Sequence, residues 1–231
     1  MTDTVYDDTV SQWKELAVKH NYGFAFLWMG QRICQVPEDI VAFQELVWSV
    51  KPDLIIETGI AEGGSLLLSA SMLAPLDVGE RLNREVVGVD RHIGIRTRFA
   101  LTNNPLTKRY ITVFVGDSTN VYTLDKIKQK VAKHKKVLVC LDSDHSHKHV
   151  LAELQEYAPF VSKDSYCIVY DTSVEDLPDE LFVGATCGKG NNPRTAVNEY
   201  LKTHPEFEVD VEFEKHLVFT SAKGGWLKRI L

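Results

Sequence analysis

The chain has 231 residues, of which 44% are apolar and 25% are charged, and its 26 basic and 32 acidic side chains give a formal net charge of −6. This length and composition are typical of one large or two small globular domains, which excludes collagen, coiled-coil and disordered proteins. No apolar run approaches the roughly 20 residues of a membrane-spanning helix. The acidic balance gives no general attraction to nucleic-acid phosphates. We therefore expect no membrane and no nucleic acid among the partners.

The cysteines and the N-terminal sequence predict a cytoplasmic protein. The cysteine positions contain no CxxC pair, which excludes a zinc ribbon and a thioredoxin-type redox site: Cys34, Cys140, Cys167 and Cys187. Reduced thiols are typical of cytosolic proteins. The chain begins MTDTVYDD, which lacks the basic start and the apolar run of a secretory signal peptide.

The first fifty residues are predicted to be mostly helical, with an amphipathic helix over 38–50. After it come five β-rich, continuously apolar runs, the pattern of strands covered on both faces: 53–57, 85–90, 110–116, 136–142 and 165–171. Helices are predicted between several of these runs, at 65–73, 121–133 and 147–160. The alternation predicts right-handed βαβ units and therefore an α/β fold with a doubly wound, mostly parallel sheet.

The C-terminal part of the chain is predicted to add a helix and two strands. Asn192 followed by Pro193 is a typical helix start, and this helix should reach about Lys202. The segments 207–213 and 217–221 have the composition of strands. A turn and a last short segment, 226–230, follow them. The stretch 172–190 has no clear periodicity, which is typical of a loop that covers a binding site.

The junction between the first apolar strand and its helix has the character of a ligand site. It runs from Glu57 to Ser65 and contains Gly59, Gly63 and Gly64. Glycines let the backbone approach a ligand closely, and open α/β sheets bind ligands beyond the carboxyl ends of their strands. The spacing is neither GxGxxG nor a Walker loop. An acid before the first glycine suits the ammonium group of S-adenosylmethionine (SAM). The alternative is a plain strand–turn–helix junction.

Acidic residues also end the following strands. Asp90 ends the second one, where a carboxylate can bind both ribose hydroxyls, and the adjacent Arg91 is assigned to the same site. Asp117 and Ser118 follow the third strand and are candidates for contact with the adenine edge. Asp142 follows the fourth strand. The ordered series of strand-end acids predicts a SAM site along this edge of the sheet.

A second cluster follows the fourth and fifth strands. Asp142, Asp144 and Asp171 can converge on one hard cation, Mg²⁺ or Ca²⁺, through carboxylate oxygens, and His145 is a natural general base. Such a metal would hold an acceptor hydroxyl and lower its pKa. Alternatively, the two acids at 142 and 144 cap the helix that follows. The cluster 142–149, with its acids and histidines, also has the composition of an Fe(II) oxygenase site, which needs two histidines and one carboxylate.

With these residues in view, the chain resembles the cephalosporin hydroxylase family, whose members have the class I SAM-dependent methyltransferase fold. The matching stretches lie between about residues 25 and 230, and the segment 55–65 is the most specific of them: 36–73, 86–90, 141–150, 190–197 and the closing WLKRI. The resemblance implies a Rossmann-like, seven-stranded sheet. Many members of the family look like O-methyltransferases that act on sugars, macrolides or other natural products.

The resemblance also implies roles for individual residues. It implies SAM contacts at Glu57, Gly59, Ser65, Asp90 and Asp117. It implies metal ligation by Asp142 and by acids at the end of the fifth strand, and similarity to catechol-type enzymes makes His145 the base. This chain departs from the family at the fifth strand, because Tyr170 precedes Asp171 where the family often has two acidic residues.

These observations together predict a SAM-dependent O-methyltransferase for a small polar metabolite or natural product, assisted by a divalent metal, Mg²⁺. A helical extension is expected over 1–50 and the methyltransferase domain over 51–231. An oxygenase and a non-catalytic SAM-binding protein are the alternatives. A small-molecule acceptor is the expected partner. A group of apolar side chains near residue 26 either forms a homo-oligomer interface or packs on the core: Phe24, Phe26, Leu27 and Trp28.

Overall fold

The computed structural model describes residues 4–78 and 83–231, with side chains from residue 8 onward. The N-terminal part contains helix α1 (Thr4–Lys19), a short hairpin of β1 (Leu27–Trp28) and β2 (Gln31–Arg32), and helix α2 (Pro37–Val50). Two of the apolar residues near position 26 pack on the core, namely Phe26 and Trp28. Phe24 and Leu27 are more than half exposed. The division at residue 50 into an extension and a domain stays a prediction.

The central sheet has seven strands in the order β5-β4-β3-β6-β7-β9-β8, which confirms the predicted α/β fold. Five parallel strands form most of it: β3 (Leu54–Thr58), β4 (Glu85–Asp90), β5 (Ile111–Val115), β6 (Val137–Leu141) and β7 (Tyr166–Val169). The strand order reverses on either side of β3. Ligands of open α/β sheets bind at such a switch point, beyond the carboxyl ends of the strands.

Helices cover both faces of the sheet because the strand side chains alternate between two apolar cores. Ile55 and Leu138 lie in one core, against α2 and α3 (Gly64–Leu76). Ile56 and Val139 lie in the other. The second core is covered by α6 (Val121–Val131), α7 (His147–Tyr157) and α8 (Pro193–Tyr200), whereas α4 (Ile95–Asn103) and α5 (Pro105–Tyr110) connect β4 to β5. Burial on both faces explains why these strands are continuously apolar in sequence.

The C-terminal edge differs from the sequence prediction. Only β8 (Phe207–Val209) is a strand in the predicted segment 207–213, because the Asp210 side chain accepts a hydrogen bond from the Phe213 N–H at 3.0 Å and begins the short helix α9 (Val211–Glu214). The predicted strand 217–221 was wrong, since these residues form a loop. The last strand is β9 (Trp226–Arg229), antiparallel to both β7 and β8.

Two connections differ in smaller ways. Helix α3 extends through Pro75 to Leu76, beyond the end predicted for it at residue 73. Residues 79–82, which follow it before β4, lie outside the described residues. The stretch 172–190 contains two short 3-10 helices, Thr172–Asp176 and Asp179–Phe182. None of the helices in the described ranges is both long enough and apolar enough to cross a bilayer.

Candidate active site

The glycine-containing turn brings the ends of β3 and β6 together. Gly59 has a positive φ of 84°, and a Cβ atom at this position would overlap the Asp142 carbonyl oxygen, so only glycine fits. Gly64 also lies close to neighbouring backbone, since a Cβ atom there would overlap the Arg32 carbonyl oxygen, and Gly63 precedes helix α3 with φ 86°. Both therefore shape the turn rather than line the cleft beside it.

A cleft of about 420 Å³ opens at the carboxyl ends of the parallel strands. Nine of the residues that the sequence predicted for the site line it: Gly59, Ser65, Asp90, Arg91, Ser118, Asp142, Asp144, His145 and Asp171. Its volume lies within the roughly 300–1,000 Å³ of small-molecule and cofactor sites. The strand-end residues therefore share one cleft, as the ordered series of acids implies.

Asp90 joins the end of β4 to the glycine turn. Its Oδ2 accepts hydrogen bonds from the Ile60 N–H at 2.8 Å and the Ala61 N–H at 3.3 Å, and its Oδ1 accepts one from the His92 N–H at 2.9 Å. The carboxylate lines the cleft at the position predicted for ribose recognition. It therefore has a second task, which is to fix the backbone of the turn.

Glu57 lies behind the cleft wall rather than in it. Its side chain is buried and accepts a short hydrogen bond from the Ser65 hydroxyl, and Ser65 lines the cleft. Burial raises the pKa of the Glu57 carboxyl to about 8. In this arrangement Glu57 is connected to the cleft through Ser65.

Arg91 links two of the predicted acids. Its guanidinium lies 3.7 Å from the Asp117 carboxylate and 3.5 Å from the Asp144 carboxylate. Asp117 does not line the cleft, and hydrogen bonds from Thr119 lower its pKa. Asp144 accepts a hydrogen bond from the Ser146 N–H at 2.9 Å, next to the start of α7. Asp144 therefore lies in the cleft and does not cap α7, whose N-cap residue is Ser146.

A group of three side chains with metal-ligand chemistry lies at the ends of β6 and β7. Within the described ranges, Asp142, His145 and Asp171 each offer one ligand atom, and these atoms lie within 4.8 Å of one another, whereas Asp144 is not in the group. His145 Nε2 is 3.2 Å from Asp171 Oδ2. Sequence reasoning assigned His145 to proton transfer and did not place it among the ligand-type residues.

The electrostatics of this group favour a bound cation. Burial of the Asp142 carboxyl raises its pKa well above the ordinary value, and the neighbouring Asp171 adds to the shift. Burial lowers the pKa of the His145 imidazole, but the negative charges of the surrounding carboxylates, Asp171 foremost, raise it by a larger amount. The net shift of this pKa is therefore upward. A divalent ion fits such a donor set. The two carboxylates suit Mg²⁺ and Mn²⁺.

Tyr170, which precedes Asp171 where the family often has an acid, belongs to the core. Its side chain is 3% exposed, and its ring packs edge to face on Trp226 at 6.3 Å between centroids. The cleft therefore receives one carboxylate from the end of β7.

Comparison with known proteins identifies the family. The sequence model of the family described as Rhamnosyl O-methyltransferase/CmcI matches residues 20–230. The chain belongs to this family. The match confirms the resemblance stated from the sequence motifs and the prediction of a SAM-dependent O-methyltransferase.

Relatives and solved structures agree with the family assignment. The chain is 29% identical over 206 residues to the rhamnosyl O-methyltransferase of Mycobacterium leprae, covering 87% of this chain and 82% of that protein. It is 28% identical over 204 residues to that of Mycobacterium tuberculosis H37Rv, covering 87% and 77%. A CmcI structure with Mg and SAM superposes with a TM-score of 0.63 at 17% identity, covering 90% of this chain and 78% of the other. The apo structure of CalS11, a TDP-rhamnose 3′-O-methyltransferase, gives 0.53 at 16% identity, covering 71% and 70%. These two structures support the fold.

Part of the cleft wall comes from residues that the sequence did not predict for the site. Phe24 and Cys34 come from the N-terminal part and line the cleft opposite the strand ends. Cys34 has a positive φ of 54°, and burial raises the pKa of its thiol to about 11, so it is a thiol at neutral pH. The exposed apolar character of Phe24 was visible in the sequence, but its place beside the cleft depends on how the hairpin folds back on α3.

Proposed function

We propose that this protein transfers the methyl group of SAM to a hydroxyl oxygen of a sugar or a similar natural product, in the cleft at the strand ends. The observation that carries the proposal is the convergence of Asp90, Ser118 and the group Asp142–His145–Asp171 on one cleft. The rhamnosyl O-methyltransferase relatives support a sugar hydroxyl as the acceptor.

The cofactor site uses residues that lie at or beyond the carboxyl ends of the first three parallel strands, β3, β4 and β5. Asp90 is the ribose ligand and Ser118 contacts the adenine. Ser65, hydrogen-bonded to Glu57, is placed for the ammonium end of SAM. Gly59 keeps the turn close to the end of β6 and to Asp142.

The residues at the ends of β6 and β7 activate the acceptor. Asp142 and Asp171 would hold a divalent ion, and His145 takes the proton of the acceptor hydroxyl. A divalent ion bound there would lower the pKa of that hydroxyl and orient its oxygen. Asp171 beside His145 Nε2 stabilises the imidazolium that forms, because a carboxylate favours the charged form of a nearby imidazole.

The donor set favours methyl transfer over the oxygenase alternative. The three groups are two carboxylates and one imidazole, whereas a non-haem Fe(II) oxygenase uses two histidines and one carboxylate. Among the described residues, His147 and His149 are engaged elsewhere, with Glu199 and Glu153.

We further propose that the protein acts in the cytoplasm, without a nucleic-acid or membrane partner. The four cysteines lie in the described part of the chain and are free thiols, which is typical of a reducing compartment. The exposed side chains of Phe24 and Leu27 are candidates for an interface between copies of the chain. Analytical ultracentrifugation of the purified protein and of Leu27→Ser tests this interface.

Calorimetric titration with SAM tests the assignment of the cleft. Asp90→Ala should weaken SAM binding by about 10- to 100-fold, because the ribose hydroxyls of SAM lose the charged carboxylate to which they donate hydrogen bonds. Asp125→Ala, on the exposed face of α6, is the matched control and should bind SAM like the wild type. Wild-type protein without measurable SAM affinity would contradict the proposed function. If Asp90→Ala and the wild type bind SAM with equal affinity, Asp90 does not contribute to the SAM site.

A further inference from the structure

The connection between β4 and β5 differs in charge from the rest of the molecule. Residues 91–110, which include α4 and α5, contain five basic side chains and no acidic one: Arg91, Arg96, Arg98, Lys108 and Arg109. The whole chain has 26 basic and 32 acidic side chains. This connection is therefore a local positive surface on an acidic protein.

Two of the arginines on this surface lack an acidic partner within the chain. Arg91 and Arg109 already form ion pairs with carboxylates. Arg96 and Arg98 are exposed on α4, and neither forms an ion pair with a residue in the ranges 8–78 and 83–231. The guanidinium fork of an arginine matches the two oxygens of a carboxylate. These two side chains can therefore pair with the acids of another molecule.

An apolar strip lies between these two arginines on the outside of α4. Ile95 is 84% exposed and Phe99 is 73% exposed. Because they are four residues apart, their side chains are neighbours on the helix surface. At about 3.6 residues per turn, Arg96 follows the strip on one side and Arg98 precedes it on the other. The exposed face of α4 thus combines two apolar side chains with a positive charge on each flank.

The opposite face of α4 is fixed to the body of the protein. Thr97 and Leu101 are its buried residues. Leu101 lies against the glycine turn, since a Cβ atom at Gly63 would be 3.1 Å from Leu101 Cδ2. The helix is held by these contacts, so its exposed face is presented on a rigid element and is not needed for packing within the described part of the chain.

The composition of this exposed face favours a protein as its partner. Arginine and aromatic side chains are enriched at the centres of protein interfaces. A helix that binds a bilayer buries a broad apolar face, whereas α4 offers two exposed apolar side chains, and the net charge of −6 repels the whole molecule from anionic lipid and from nucleic acid. A protein segment can bring acids to the two arginines and apolar groups to the strip between them.

We propose that the exposed face of α4 is a docking site for an acidic segment of a partner protein. The segment places apolar side chains on Ile95 and Phe99, and its carboxylates pair with Arg96 and Arg98. This interaction goes beyond the proposed methyl transfer and does not depend on it.

A synthetic peptide tests the proposal on the full chain. The probe is a fluorescein-labelled helical peptide of glutamate, alanine and leucine, with leucines at positions i, i+3, i+4 and i+7, and its binding is measured by fluorescence anisotropy. We expect saturable binding that weakens as the salt concentration rises, because salt screens the ion pairs. One comparison peptide has serine in place of leucine, and the other has lysine in place of glutamate. Both should bind at least about tenfold more weakly.

Two double variants locate the binding face. Arg96→Glu with Arg98→Glu, and separately Ile95→Ser with Phe99→Ser, should each weaken peptide binding about tenfold or more. Lys128→Glu with Lys133→Glu is the matched control, because it changes the net charge equally at exposed positions outside α4 and should bind the peptide like the wild type. Thermal unfolding midpoints close to that of the wild type would show that each variant is folded.

Several outcomes would overturn the proposal. They are the absence of peptide binding by the wild type, equal binding of the leucine and serine peptides, and equal binding by the α4 variants and the control. Vesicles of phosphatidylglycerol that bind the wild type but not the arginine variant would assign the face to lipid instead. A dimer in sedimentation experiments that the same variant loses would assign it to a second copy of the chain.

Discussion

His145 connects the charge distribution of the site to its chemistry. It lines the cleft, and its Nε2 atom is 3.2 Å from Asp171 Oδ2. The neighbouring carboxylates outweigh the effect of burial and raise its pKa. A base of this kind is effective once it is deprotonated, and in the ion-free protein the shift moves its deprotonation to higher pH than for an isolated histidine.

The loss of this base should affect turnover and spare cofactor binding. His145→Ala should lower kcat by about 10²- to 10⁴-fold, the usual contribution of a positioned general base, with the SAM dissociation constant unchanged. Single-turnover kinetics and calorimetry separate the two effects. His20→Ala, on an exposed position, serves as the control. A variant that binds SAM weakly but keeps its kcat would make His145 a binding residue.

A divalent ion at the same group is tested by chelation. Dialysis against EDTA should abolish methyl transfer, and Mg²⁺ or Mn²⁺ should restore it, because Asp142 and Asp171 are placed to hold the ion. Asp171→Asn should raise the metal concentration needed for half-maximal activity. Full activity in EDTA would remove the metal from the mechanism.

Helix α7 connects the loops that follow β5 and β6 through one buried carboxylate. Glu153 has no exposed surface and accepts a hydrogen bond from Ser143 Oγ at 2.7 Å, and it lies 3.3 Å from His149 Nε2. His149 in turn is 3.2 Å from Ser118 Oγ. Since Ser143 and Ser118 both line the cleft, a single helix fixes two parts of its wall.

The removal of this charge should loosen the adenine side of the cleft. Glu153→Gln keeps the size of the side chain but no longer supports a charged His149, whose pKa is raised because its imidazole donates a hydrogen bond to the Glu153 carboxylate. We expect SAM affinity to fall about tenfold, which corresponds to about 1.4 kcal/mol. Glu156→Gln, exposed on the same helix, is the control. If calorimetry gives both variants the wild-type affinity, Glu153 does not position the cleft.

The parallel strands and the cleft could be predicted because they depend on local signals. Each parallel strand is buried on both faces and is therefore continuously apolar, as in 137–141, and the residues at its carboxyl end then fall at one edge. The edge strands could not be predicted in the same way. Composition alone does not distinguish the loop 217–221 from the strand Trp226–Arg229, since pairing with β7 and β8 decides between them.

The finer structure of the site also depends on tertiary contacts. Asp142 and Asp144 are two residues apart and chemically equivalent in sequence. In the folded protein, Asp142 lies next to Asp171, which comes from the end of another strand, whereas Asp144 forms an ion pair with Arg91. A second cavity, of about 330 Å³, forms where the N-terminal part meets the stretch 172–190, and no local sequence pattern reports a contact between segments so far apart.

At the scale of the whole molecule, one buried acid ties the N-terminal part to the C-terminal loop. Asp39, at the start of α2, has no exposed surface, and its Oδ2 accepts hydrogen bonds from the Ser221 N–H at 2.9 Å and the Ser221 hydroxyl at 2.6 Å. Burial raises its pKa from 3.8 to about 6. The folded protein therefore binds the Asp39 proton more tightly than the unfolded chain does.

This shift predicts a stability that depends on pH. The contribution of Asp39 is fully present below pH 3.8 and is lost as pH rises through about 6. Asp39→Asn, which carries no charge, should gain up to about 3 kcal/mol of unfolding free energy relative to wild type between pH 4 and 7. Urea unfolding at several pH values measures the difference. Glu45→Gln, exposed on the same helix, is the control, and a constant difference across this range would contradict the assignment.

The position of β9 has a consequence for the order in which the molecule is built. This strand lies between β7 and β8, although it is synthesised after both of them. While the chain emerges from the ribosome, β8 has no neighbour to pair with until residues 226–229 arrive. The five parallel strands, with the bottom of the cofactor cleft, can assemble earlier, and the nascent protein then exposes the open side of β7. Ribosome-stalled chains that stop before and after this strand should therefore differ in the completeness of the sheet rather than in the presence of the cleft.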